Sequence, residues 1–188
     1  MKFSTVLVSA TVLSASVSCA KDDSGDSAAP SLTGGEYAVT LTALQDECFP
    51  TSTLEESMAL PFLLEPEPEG ALWVRPGPLV TDLIPDLVGG IVDGDILASG
   101  FRVAALTTSC WMSFDAAVAG RVTRPTRIEG TLSVRYASRG LQNAFGEPSD
   151  CSALASGAFY DVLPFPAFDD PAHGECLSVY DLRASMGE

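Results

Sequence analysis

CWMSFDAAVAGRVTRPTRIEGTLSVRYA, residues 110–137, repeats with a period of two on both sides of a turn. Met112, Phe114, Ala116, Val118, Gly120 and Val122 fall on one face of the first half. After Arg124-Pro125, Ile128, Leu132, Val134 and Tyr136 face one way, while Arg127, Glu129, Thr131, Ser133 and Arg135 face the other. Successive side chains alternate across a strand, so the stretch predicts a long antiparallel hairpin with one dry and one wet face.

The same period extends outward from this hairpin. Tyr37, Val39 and Leu41 alternate after Gly34-Gly35 and predict a strand over 36–44. Asp93-Gly94, set between Ile91-Val92 and Asp95-Ile96-Leu97, is the strongest short hairpin signal in the chain. Ala71 to Arg75, Ala158 to Leu163 and Cys176 to Leu182 read as further short strands, the last two separated by a Pro- and Asp-rich loop. Leu79 to Val88 fits either a strand pair or a short helix interrupted at Pro85. Residues 47–70 contain Pro50, Pro61, Pro66 and Pro68 among Glu55, Glu56, Glu65, Glu67 and Glu69, and read as mostly irregular, with an exposed loop at 65–70. No helical period is sustained. The expected class is all-β, a small antiparallel sandwich or barrel with long loops, stapled by disulfides.

The staples follow from cysteine arithmetic. Of Cys19, Cys48, Cys110, Cys151 and Cys176, the first lies in the N-terminal segment, which leaves four. An even number in an oxidising compartment predicts two disulfides. No C-x-x-C pair occurs, so the spacing speaks against zinc. Four cysteines allow three connectivities. Cys48–Cys110 with Cys151–Cys176 is the favoured one, because Cys151 and Cys176 flank a single segment that could return beside itself.

The N-terminus has the anatomy of an export signal: Lys2, an apolar run from Phe3 to Val17, then small residues. Ser4, Thr5, Ser9, Thr11, Ser14 and Ser16 interrupt the run, and it is too short to span a bilayer. Ser16-Val17-Ser18-Cys19, followed by Ala20-Lys21-Asp22-Asp23, resembles the lipobox of bacterial lipoproteins, with Ser16 where that family most often has leucine. The resemblance implies removal of residues 1–18 and a new N-terminal Cys19 carrying diacylglycerol and a fatty acyl chain. It also implies the outer membrane as destination, since no aspartate follows the cysteine. Residues 19–34, polar and small, then form a flexible tether, and residues 35–188 a single β-rich domain. The competing reading is an ordinary secretory signal cut after Ala20, which would release a soluble protein.

Charge and missing motifs bound the function. With 25 acidic residues against 10 basic, the formal charge of −15 disfavours nucleic acid as a partner. Arginines nonetheless gather in residues 101–140, and Arg121, Arg127 and Arg135 form a candidate anion or acidic-polysaccharide surface, on condition that they converge without acidic partners. On an exposed sheet face such arginines more often pair with neighbouring acids. His173 is the lone histidine, sits among turn formers and acids, and reads as solvated rather than catalytic or metal-bound. No nucleophile elbow, zinc-protease helix, phosphate loop or dinucleotide fingerprint occurs, and no cofactor or metal is implied. The expectation is a non-enzymatic cell-envelope lipoprotein that contacts envelope proteins or polysaccharide and reaches the membrane through its lipid. One alternative is a lipocalin-like small-ligand carrier, its barrel mouth lined by Trp73, Trp111, Phe114 or Tyr136. Another is a secreted hydrolase.

Overall fold

The computed structural model describes residues 29–49, 58–77, 84–154, 158–160, 163–164, 166, 168–170 and 172–187. The expected signal segment and Cys19 lie outside these residues. Ten strands are described: β1 Gly35–Asp46, β2 Met58–Pro66, β3 Ala71–Pro76, β4 Leu87–Val92, β5 Asp95–Ala105, β6 Trp111–Arg124, β7 Arg127–Ala137, β8 Ala158–Tyr160, β9 Leu163–Pro164 and β10 Glu175–Met186. Eight of them close into an antiparallel barrel in the order β1-β10-β7-β6-β5-β4-β3-β2, while β8 and β9 form a separate two-stranded sheet. The barrel is an up-and-down meander in which β1 pairs with β10 on one side and β2 on the other. Full closure leaves no strand edge for another chain to extend.

The long hairpin is β6–β7, paired from Ser113↔Ala137 to Arg124↔Arg127. Its apolar face lines the barrel: Met112, Phe114, Ala116, Val118, Val122, Ile128, Leu132, Val134 and Tyr136 are all buried. Asp93-Gly94 turns β4 into β5 with φ of 52° and 84°, the left-handed pair that a two-residue hairpin turn requires. Where irregular chain was expected, Met58–Pro66 is a strand: Leu60, Phe62 and Leu64 point inward and are buried. Pro61 lacks an N–H, but it sits on the outward face and its carbonyl accepts the Gly77 N–H at 2.7 Å, so the strand continues through it.

Apolar side chains pack the interior toward the end closed by tight turns. The cavity among Val39, Phe62, Leu72, Val118, Ile128 and Leu182 measures about 20 Å³, room for one water molecule. The two ends differ. One is closed by the tight turns at 67–70, 93–94 and 125–126 and by the segment before β1. There Leu32 is buried, Thr33 N–H donates to Pro125 O at 2.7 Å, and the Tyr37 hydroxyl donates to Thr33 O at 2.7 Å. Residues 32–34 of the expected tether are thus held on the barrel. At the other, the loop end, β1, β3, β5 and β7 finish and β2, β4, β6 and β10 begin.

Both disulfides lie at that loop end, and their connectivity corrects the favoured pairing. Cys48 bonds Cys176 and Cys110 bonds Cys151. The reason is barrel closure. β10 returns beside β1, which carries Cys176 to Cys48 across 128 residues, and the 138–174 excursion folds back over the start of β6, which carries Cys151 to Cys110.

Candidate functional site

The loop end holds the polar side chains that reach into the barrel. In β1 the register slips between Ala43 and Gln45, a bulge that sets Asp46 opposite Ser178 of β10. The Ser178 hydroxyl donates to Asp46 Oδ1 at 2.6 Å and accepts the Cys48 N–H at 3.3 Å, while the Phe49 N–H donates to the same carboxylate oxygen at 2.9 Å. These bonds and the Cys48–Cys176 disulfide fix the chain leaving β1 against β10. Phe49 then turns its ring onto Tyr136, edge to face at 5.8 Å, and Phe114 meets the other side of Tyr136 at 5.6 Å. The Arg102 guanidinium lies over the Phe114 ring, 4.8 Å from its centre.

Asp46, Ser178, Tyr180, Tyr136 and Arg102 therefore form one polar and aromatic group inside the loop end. Burial pushes the Tyr136 phenol far above its usual range; neighbouring Tyr180 and Asp46 raise it further and Arg102 opposes them. Burial also raises the Tyr180 phenol, against the bond it makes with Ser178. Both phenols stay protonated at neutral pH. A guanidinium, a carboxylate and two phenols suit recognition of a small polar ligand at a barrel mouth.

Of the four aromatics expected at a carrier's mouth, Phe114 and Tyr136 face the interior. Trp73 is on the outward face of β3, with the Arg75 guanidinium 5.7 Å over its ring, and Trp111 is on the outward face of β6. The Trp111 backbone is held on both sides by Ser149, whose hydroxyl accepts its N–H at 2.7 Å and donates to its carbonyl at 2.8 Å.

His173 is exposed but engaged. Its Nδ1 lies 2.6 Å from the Ser149 carbonyl, which can only accept, so Nδ1 carries the proton and ties the 173 turn to the 149 turn. Nearby, Ser138 is buried with its hydroxyl bonded to the carbonyls of Ala172 and Gly174, and Arg139 pairs with Asp169 at 2.7 Å. This arrangement positions loops. A lone histidine in an acidic turn gave no sequence signal for that role.

The arginine face is dispersed. Arg121 lies across from Asp95 and Glu129, with Asp95 at 3.7 Å, whereas Arg135 sits at the opposite end of the hairpin and bonds Glu175 at 2.6 Å. Arg127 makes no ion pair within 4 Å among the described residues. It lines a shallow groove of about 170 Å³ with Thr40, Glu129 and Arg183. The three expected anion ligands are not brought together, and two carry acidic partners. Compared with known protein families, with curated proteins and with solved structures, the chain matches none.

Proposed function

We propose that the chain is a non-enzymatic lipoprotein of the cell envelope: a disulfide-stapled barrel tethered by lipid on Cys19, acting through its loop end and outer wall as a binding or structural module. One observation carries this reading. The four cysteines of the barrel pair among themselves, which leaves Cys19 as the odd one, placed directly after an export-type segment and available for acylation. Two buried disulfides suit an oxidising compartment. The packing around Val39, Phe62, Leu72, Val118 and Leu182 favours surface contacts over carriage of a ligand in that part of the barrel, because the cavity there, about 20 Å³, admits no organic molecule. A lipid-embedded barrel is disfavoured by the wall itself, since Arg121, Glu129, Arg135 and Arg183 face outward where such a barrel needs an apolar belt.

The test is intact mass spectrometry of the mature protein from its native envelope, before and after reduction. A chain beginning at Cys19 with diacylglycerol and a fatty acyl group, gaining about four protons on reduction, is the expected result. An unmodified chain beginning at Lys21 overturns the anchor. A second reading, a small-ligand binder, draws on the Arg102, Tyr136, Tyr180 and Asp46 group. It predicts a polar small molecule that co-purifies in native mass spectrometry and is lost in Tyr180→Phe.

A further inference from the structure

The outer wall of the barrel has two unlike sides. On β7 the outward positions from Arg127 to Arg135 are charged or hydroxylic. On β4 and β5 they include Val88, Val92, Leu97, Phe101 and Val103 beside Asp95 and Ser99, all exposed, with Val92 at 71%, Leu97 at 68% and Phe101 at 65%. Ala117 and Ala119 of β6 and Trp73 of β3 continue the apolar surface on either flank, through the rows Trp73↔Val88↔Ser99↔Ala117 and Gly90↔Leu97↔Ala119. Ten residue steps along β5 and at most three strand spacings across give roughly 30 Å by 10–15 Å, about 300–450 Å² of wall with Asp95 and Ser99 included. That is the size of a monomer's largest apolar patch and about half of the ~800 Å² per partner that a stable pair buries, the remainder falling to the flanking charged residues.

We infer that this face is the interface of a two-fold dimer of the chain itself, an assignment that stands whether or not Cys19 carries lipid. Charge placement selects a second copy. Asp115 and Arg121 flank the patch on β6, three residues to either side of Val118, which pairs with Ala98 at the middle of the wall. A two-fold axis lying between the stacked walls, perpendicular to their strands, runs β6 antiparallel over its counterpart. Each Arg121 then meets the other copy's Asp115, with Leu97 over the other copy's Ser99 and Phe101 over the end of the other copy's β5 beside Leu97. Aligned sheets stack about 10 Å apart, a spacing these side chains fill. Arg121 is free to turn, since its contact with Asp95 is 3.7 Å long and both side chains are about 70% exposed. A lipid surface fits less well, because Asp93, Asp95 and Asp115 border the patch and anionic headgroups repel them. The −15 charge of each copy opposes association at long range, but physiological salt screens it within about 8 Å.

Cross-linking of the full-length protein in its native envelope tests the assignment. Ser99, exposed one residue from the proposed axis, is replaced in Ser99→Cys; Thr42, exposed on β1 across the barrel from β5, is replaced in Thr42→Cys as control. A short bis-maleimide is expected to give a band at twice the chain mass from the first and none from the second. Adding Phe101→Glu to Ser99→Cys cuts that band at least tenfold. Arg121→Asp weakens it, and Arg121→Asp with Asp115→Arg restores it. Equal bands from the two cysteine variants, no band, or an adduct with a different protein overturns the dimer. Light scattering of the unaltered protein in detergent decides the matter if a variant fails to fold: one chain per particle is equally fatal.

Discussion

The two ends of the barrel solve the same problem, closing eight strands, by opposite means. At the tight-turn end the backbone does the work: two-residue turns, strands in close approach, and Leu32 with Thr33 laid across the opening. Gly120 faces Gly130 there, and the strands come so near that a side-chain carbon on Gly130 would strike the Ala119 carbonyl. At the loop end, long connections replace turns, and closure depends on two disulfides and on side-chain bonds such as Ser178 to Asp46. An end closed by backbone geometry tolerates little variation in sequence. An end closed by cross-links leaves its loops free to carry recognition groups.

Removing the covalent ties gives the largest expected effect. On the chain-entropy model the 128-residue separation of Cys48 and Cys176 corresponds to about 5 kcal/mol, and the 41-residue separation of Cys110 and Cys151 to about 4 kcal/mol. Cys48→Ala with Cys176→Ala should therefore lower the urea midpoint more than Cys110→Ala with Cys151→Ala. The smaller loop lies within the larger, so the two losses will not add. Near-equal midpoints for the unaltered protein and the first double variant would break the contrast between the ends.

Gly130→Ala probes the opposite end with no cross-link involved. The added carbon has backbone on its near side, which cannot swing away as a flexible side chain would. Overpacking of this kind costs about 1–3 kcal/mol and should appear as a lowered thermal midpoint with both disulfides intact. A variant as stable as the parent would mean that the tight end relaxes more readily than its geometry implies.

These two regions were also unequally legible. The tight end announced itself: Asp93-Gly94, the Arg124-Pro125 turn and the alternation of 110–137 are local signals, and each became the turn or hairpin it predicted. β2 was hidden because Pro61 and the surrounding glutamates outweighed the inward alternation of Leu60, Phe62 and Leu64. Most of β5 was hidden for another reason: apolar Leu97, Phe101 and Val103 on the outer face erase the contrast between faces from which a strand is read. Barrel or sandwich, and with it the disulfide pairing, depends on where β10 lands, which is a closure across the whole chain and leaves no local trace. The Asp46, Ser178, Tyr180, Tyr136 and Arg102 group was illegible likewise, since its members come from four strands and converge only when the sheet closes.

Ser178→Ala removes the hydroxyl that bridges the Cys48 N–H and the Asp46 carboxylate inside the loop end. Leaving the buried Cys48 N–H short of its bond, while the half-buried Asp46 keeps the Phe49 N–H, costs about 1–3 kcal/mol. Thermal melting should show that loss in the oxidised protein, and hydrogen exchange should show faster opening of residues 46–49 than of the 93–94 turn. Equal exchange at the two sites would remove the distinction between a bonded end and a turned one.

The smallest effect concerns acid. The Asp169 carboxylate accepts the Glu175 N–H and the Arg139 guanidinium, in that order of influence, and both hold it below the usual carboxylate range. A depressed value in the folded state stabilises the fold fully above the unfolded carboxylate's pKa, about 4, and the stabilisation is lost as pH falls through the lower folded value. Asp169→Asn discards this dependence at the loop end and leaves the tight end untouched. The stability gap between the unaltered protein and the variant should be constant above about pH 5 and should narrow steadily below pH 4. The group is solvent-facing, so the whole effect is small and shrinks further in high salt. A gap that stays constant down to pH 2 would mean that the Arg139–Asp169–Glu175 contacts contribute packing and not charge, and that the loop end is held by its disulfides and buried bonds alone.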